Sequence, residues 1–84
     1  MELKVGVVTH YYSKIGVAIV EITDEPLSIG DVIHIKGHTT DFQDTVTSMQ
    51  IEHQPIQTAK KGDIIGLKVS GKCHEKDIVY KVLP

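Results

Sequence analysis

The feature that most constrains this chain is its glycine punctuation: Gly6, Gly16, Gly30, Gly37, Gly62, Gly66 and Gly71 separate short runs rich in Val, Ile and Thr. Turn signals at such intervals favour many short strands over helices. No window carries a helical period of 3.6, so an all-β fold follows. Alternation places the strands. Leu3 to His10 leads into a turn at Tyr12-Ser13-Lys14. Val17 to Ile22 turns Ala18, Val20 and Ile22 to one face. Asp24-Glu25-Pro26 breaks the chain, because proline lacks a donor and acidic neighbours favour turns. Asp31 to Lys36 points Ile33 and Ile35 inward, with His34 and Lys36 outward. Gly37 to Asp44 reads as a polar connection holding Phe42. Thr45 to His53 is apolar at Val46, then at Met49 and Ile51, a change of parity that predicts a β-bulge near Ser48. Ile65, Leu67 and Val69 face inward on a fifth strand, and Ile78 to Val82 closes a set of six.

A short repeat strengthens this reading. Gly30-Asp31-Val32-Ile33 is echoed by Gly62-Asp63-Ile64-Ile65. In each, glycine supplies a positive φ at a corner and aspartate bonds nearby backbone donors. Two such corners suit a small, closed or nearly closed antiparallel six-stranded β-barrel, since closure removes exposed edges. At 84 residues, 1–84 is expected to be a single domain with one modest core.

Charge narrows the partners. The net charge is −2, and all nine basic residues are lysines, without one arginine. Arginine is the favoured group for bidentate phosphate and guanine contacts, so DNA is not an expected partner. No apolar run reaches the roughly 18 residues of a membrane helix, so no membrane partner is expected. The start Met1-Glu2-Leu3-Lys4 lacks a secretory pattern, and lone Cys73 forms no internal disulfide, which together predict a cytoplasmic chain. The oligomeric expectation is a monomer or a weak edge-strand dimer.

The residues also resemble a known family. Gly16-Val17-Ala18-Ile19-Val20, Leu27-Ser28-Ile29-Gly30-Asp31-Val32-Ile33, Val46-Thr47-Ser48-Met49 and Ala59-Lys60-Lys61-Gly62-Asp63-Ile64-Ile65-Gly66-Leu67 resemble the second domain of translational GTPases. That domain is the β-barrel of elongation factor Tu and initiation factor 2. The resemblance implies a translation-factor domain 2-like barrel that meets tRNA, ribosomal RNA or a translation-associated protein. In elongation factor Tu a glutamate and an asparagine hold the aminoacyl end; the matching positions here are Gln50 and Ile64. A similar barrel ends certain collagenase-like bacterial peptidases, so fold does not fix function. No phosphate-cradling Gly-x-x-x-x-Gly-Lys-Ser/Thr loop is present.

Catalytic chemistry finds little support in the spacing. Cys73 and His74 are adjacent, and on extended chain they point to opposite faces. His34-x-x-x-His38 suits zinc on a helix but diverges on a strand, and no paired cysteines accompany it. Asp24-Glu25 and Glu75…Asp77 read as solvated turns. No catalytic residue, metal or cofactor is therefore expected, and the chain is read as a non-enzymatic binding module. Its contacts are assigned to Tyr11, Tyr12 and Lys14 in the first turn, and to Lys36, Lys60 and Lys61. Lysines bind phosphate as point charges and tyrosines stack on bases. The alternative is a protein–protein interaction module, or an accessory subunit of a separately encoded enzyme, without nucleic-acid contact.

Overall fold

The computed structural model describes residues 1–84, and both Gly-Asp corners are built in it. Gly30 and Gly62 take φ of 95° and 98°. The Asp31 N–H donates to the Ser28 carbonyl (3.1 Å) and the Asp63 N–H to the Lys60 carbonyl (2.9 Å). Each aspartate also reaches back: Asp31 Oδ2 accepts from the Ser28 N–H at 2.8 Å, and Asp63 Oδ2 from the Lys60 N–H at 2.9 Å. A third corner, His74–Asp77, repeats every one of these bonds. The Asp77 N–H donates to the His74 carbonyl (3.1 Å), and Asp77 Oδ2 accepts from the His74 N–H (2.7 Å). The sequence hides it because Lys76, at φ 75°, stands where the other corners have glycine.

Each corner grips one buried aliphatic residue from another segment through a reciprocal backbone pair. Val46 donates to the Asp31 carbonyl and accepts from the Gly30 N–H. Ile22 does the same with Asp63 and Gly62, and Val8 with Asp77 and Lys76, all six bonds lying between 2.7 and 2.9 Å. Side chains follow the same register. Four residues before each aspartate lie buried Leu27, Ala59 and Cys73; two residues after lie buried Ile33, Ile65 and Val79. These belong to a core of 16 buried residues that includes Ala18, Val20 and Ile22 of the second strand and Ile35, Leu67 and Val69 of the later ones, on the faces that alternation predicts.

Ten strand segments result rather than six. In chain order they are β1 (Glu2–Tyr12), β2 (Val17–Ile22), β3 (Leu27–Ser28), β4 (Val32–Lys36), β5 (Asp41–Thr45), β6 (Met49–Ile51), β7 (Gln54–Ile56), β8 (Thr58–Ala59), β9 (Ile64–Lys68) and β10 (Ile78–Val82). All pairings are antiparallel. Eight strands form one sheet in the order β5-β4-β10-β1-β2-β9-β6-β7, and β3 pairs with β8 apart from it. The all-β antiparallel class stands, but the closed six-stranded barrel is corrected: the sheet runs from β5 to β7 without a ladder joining those ends. The supposed polar connection Gly37–Asp44 contains β5, whose residues alternate exposed and half-buried. Thr45–His53 is not one bulged strand, because the first corner captures Val46 and a new strand starts at Met49. Bulges occur in β1 instead, between Lys4 and Gly6 and between Val8 and His10, the second beside the residue the third corner grips. At the first of them Gly6 is required, since a Cβ there would overlap the Glu21 carbonyl oxygen.

One polar clasp ties the outer face of β5, β4 and β1. His34, paired across β10 with Tyr80, bonds Asp41 Oδ1 through Nε2 (2.5 Å) and Glu2 Oε2 through Nδ1 (2.6 Å). Its side chain is 14% exposed. The Asp41 bond, then the Glu2 bond, raises the imidazole above its ordinary 6.5, while the His34 bond holds the Asp41 carboxyl below its ordinary 3.8. The histidine's contribution is full below pH 6.5 and fades as pH rises through its raised folded value. The aspartate's contribution is full above pH 3.8 and fades as pH falls through its lowered value. The urea midpoint is therefore expected to be higher at pH 5.5 than at pH 8.5, and His34→Gln should remove that difference. A second expectation concerns the third corner. A left-handed non-glycine residue costs about 1–2 kcal/mol, so Lys76→Gly should stabilise the chain by about 1 kcal/mol. Calorimetry should read this as roughly 4–8 °C in Tm.

Candidate functional site: a groove on the outer sheet face

The inward faces of β2 and β9 fill the core, so their outward residues build a second surface. Cross-strand register sets Tyr12 against Val17, and Ile19 against Gly66, which in turn faces Gln50 of β6. Gly66 has no side chain, so this outer layer is notched between Ile19 and Gln50. The notch opens into a groove of about 320 Å³. Val17, Ile19 and Ile64 floor it, Tyr12 and Ile15 wall one side, and Glu52 and His53 stand on the other. Ile15 is 62% exposed, Ile64 59% and Tyr12 51%. Three large apolar side chains left open around one concavity are a concentration that scattered surface residues do not make. On the Tyr12 side the wall is stiffened by His10, whose ring lies parallel to that of Tyr12 (8°) at 6.4 Å.

The opposite wall is a two-residue hairpin turn. Ile51 pairs with Gln54, leaving Glu52 and His53 at the tip with φ of 50° and 66°. Positive φ at both central residues is the type I′ turn, normally built from Asn-Gly or Asp-Gly. Sequence reasoning missed this hairpin because Glu-His carries no turn signal, and it missed the groove because register alone brings β6 beside β9.

The residues assigned from sequence separate. Tyr12 is at the groove, whereas Tyr11 is half-buried against the core. Lys14 is exposed in the β1–β2 turn next to Ile15. Lys60 and Lys61 are exposed in the second corner, and Lys36 ends β4. In the sheet β4, which carries Lys36, is separated by β10, β1 and β2 from β9, the strand that the Lys60-Lys61 corner starts. Gln50 and Ile64, at the aminoacyl-holding positions of the translation-factor resemblance, both line the groove. Cys73 is buried, and burial, with Asp77 adding to it, pushes its thiol up to about 11. It occupies the core position held by Leu27 and Ala59 in the other corners. Neighbouring His74 points away to bond the Thr40 hydroxyl at 3.1 Å. A second, wholly polar cleft lies between Gly37–Thr39 and His74–Asp77.

Comparison with known proteins corrects the functional reading. No protein-family profile matches the chain. It is 40% identical over 80 residues to a Methanocaldococcus jannaschii protein named as an uncharacterized protease, a match covering 94% of this chain and 19% of that protein. A protein of Porphyromonas gingivalis strain W83 named collagenase is 36% identical over 81 residues, covering 95% of this chain and 20% of its own length. The chain thus spans about a fifth of these curated relatives. Two crystal structures of the C-terminal domain of a Geobacillus thermoleovorans protein described as a U32 peptidase share the fold. Their TM-scores are 0.85 and 0.87 at 19% and 20% identity, with 92% and 94% of this chain and 96% and 91% of theirs covered. The likeness to translation-factor domain 2 is overturned, and with it the reading of a translation-associated module contacting ribosome or RNA. The expectation of a non-enzymatic binding module is overturned too, since the chain's relatives are named protease and collagenase. The Gly-Asp corners that carried the first resemblance fix backbone geometry, and backbone geometry is shared by domains of different employment. The chain is similar in sequence to one segment of proteins named protease and collagenase, and in fold to the C-terminal domain of a protein described as a U32 peptidase.

Proposed function

We propose that this chain is a peptidase-associated domain, which holds polypeptide on its outer groove in the service of a U32-type catalytic module. The observation that carries this is the extent of the match. Nearly the whole chain, 94–95%, aligns with a segment that is only 19–20% of proteins named protease and collagenase. Its likeness is therefore to one module of such proteins. The groove supplies the means. Its floor and one wall are apolar and the opposite wall, Glu52 and His53, is polar, a mixture usual in sites for organic ligands. A domain of this kind raises the local concentration of a polymeric substrate near the chemistry.

A domain exchange tests this. The matching fifth of the Porphyromonas gingivalis collagenase is deleted, or replaced by this chain, and gelatin cleavage is followed with both proteins. Deletion is expected to depress cleavage of gelatin more than cleavage of a short peptide, and the replacement is expected to restore it. A replacement no better than the deletion would overturn the proposal.

A further inference from the structure

Three locally unfavourable choices converge on the groove. The first is Gly66. Glycine inside a strand costs roughly 0.5–1 kcal/mol relative to alanine. Packing does not demand it here, because a Cβ would meet only Val17 Cγ1 at 3.5 Å and the Gln50 carbonyl at 4.0 Å, ordinary contacts. The second is the exposure of Ile64 and Ile15 on the same concavity. The third is the turn Glu52-His53, with two consecutive non-glycine residues in the left-handed region. Each costs about 1–2 kcal/mol there, and an Asn-Gly tip would close the same hairpin at less cost. Conformational outliers cluster at ligand-binding sites, and here, unlike at the Lys76 corner, two adjoin one groove.

From these features we infer that the groove binds a short polypeptide segment carrying an apolar side chain next to a basic one; the inference rests on the peptidase-associated reading and gives its ligand chemistry. The apolar side chain fills the notch over Gly66, against Val17, Ile19 and Ile64. The basic group meets Glu52, the one carboxylate lining the groove, where no lysine or arginine lines it. Glu52 takes part in none of the chain's ion pairs, so its charge is free for a guest. The same carboxylate disfavours phosphate-bearing ligands. At about 320 Å³ the groove is at the small end of ligand sites, roughly 300–1,000 Å³, which suits one or two residues. Recognition proceeds through side chains, since β2 and β9 are paired on both edges. Strand addition at the nearby sheet end is blunted by Pro55 in β7, which has no N–H to offer.

The test is an amide NMR titration of the chain with capped tetrapeptides. Gly-Leu-Lys-Gly is expected to shift Val17, Ile19, Ile64 and Gly66. Gly-Ser-Lys-Gly should bind about tenfold or more weakly, the loss expected for an unburied leucine side chain. Gly-Leu-Glu-Gly should bind a few-fold more weakly, and Glu52→Gln should bring the Lys and Glu peptides close to parity, as for an exposed ion pair worth up to about 1 kcal/mol. Gly66→Val should fill the notch and weaken Gly-Leu-Lys-Gly at least about tenfold, with the urea midpoint kept or raised. Ile64→Ser, on a side chain 59% exposed, repeats the test without touching the core. Shifts outside the groove, no shifts, or unchanged affinity in both variants would sink the inference. Groove resonances that move on diluting the chain alone would sink it too, because a second copy would then be the occupant. Peptide binding that persists while the domain exchange fails counts against the peptidase association alone. A working exchange with no peptide binding counts against the ligand chemistry alone.

Discussion

Everything in this fold hangs on the reciprocal backbone pair by which each corner holds a buried aliphatic residue. A domain of this size has few core side chains, and four of its strands, β3, β6, β7 and β8, are only two or three residues long. The three corners solve this with one device. An aspartate folds back on its own turn, and the turn's free N–H and carbonyl clamp Val46, Ile22 or Val8. Each clamp joins a strand start to a residue far away in the chain, so the start of β4, β9 or β10 is placed in space as well as in sequence. The core then follows, because the position four before each aspartate and the position two after it both point inward.

That repeat also assigns Cys73. A lone thiol next to a histidine invites a catalytic reading, but its equivalents in the other two corners are Leu27 and Ala59, both buried. Its raised pKa is a consequence of occupying a core position, and a protonated thiol is a poor nucleophile. The polar resources of the molecule lie elsewhere: in the His34 clasp, which joins three strands, and in the carboxylate at the groove.

The groove exists because the sheet does not pack another layer on the outward side of β2 and β9. Register sets Ile19, Gly66 and Gln50 in one row, and the missing side chain in the middle opens the floor. Neither neighbour forbids a side chain at Gly66, whereas Gly6 is imposed by the Glu21 carbonyl. Two glycines in strand patterns thus have opposite meanings, one structural and one available to a ligand. The proposed peptidase association gives the groove a setting in which an apolar concavity bordered by the Glu52 carboxylate is useful.

Local chemistry was legible in the chain itself. Period-two alternation fixed which of Ala18, Val20, Ile22, Ile33, Ile35, Ile65 and Leu67 face inward, because side chains on extended backbone have no other choice. Gly30-Asp31 and Gly62-Asp63 announced their corners, since only glycine takes the required φ freely. The third corner was illegible because Lys76 accepts that φ under strain, and the β6–β7 hairpin because Glu52-His53 does the same. Placement depended on tertiary structure. That β2 lies between β1 and β9, that β4 is far from β9, and that Tyr12, Ile64 and Glu52 surround one groove are consequences of strand order. Strand order rests on the ladders and on which distant residue each corner grips, and such pairings between remote segments leave no periodic trace in sequence.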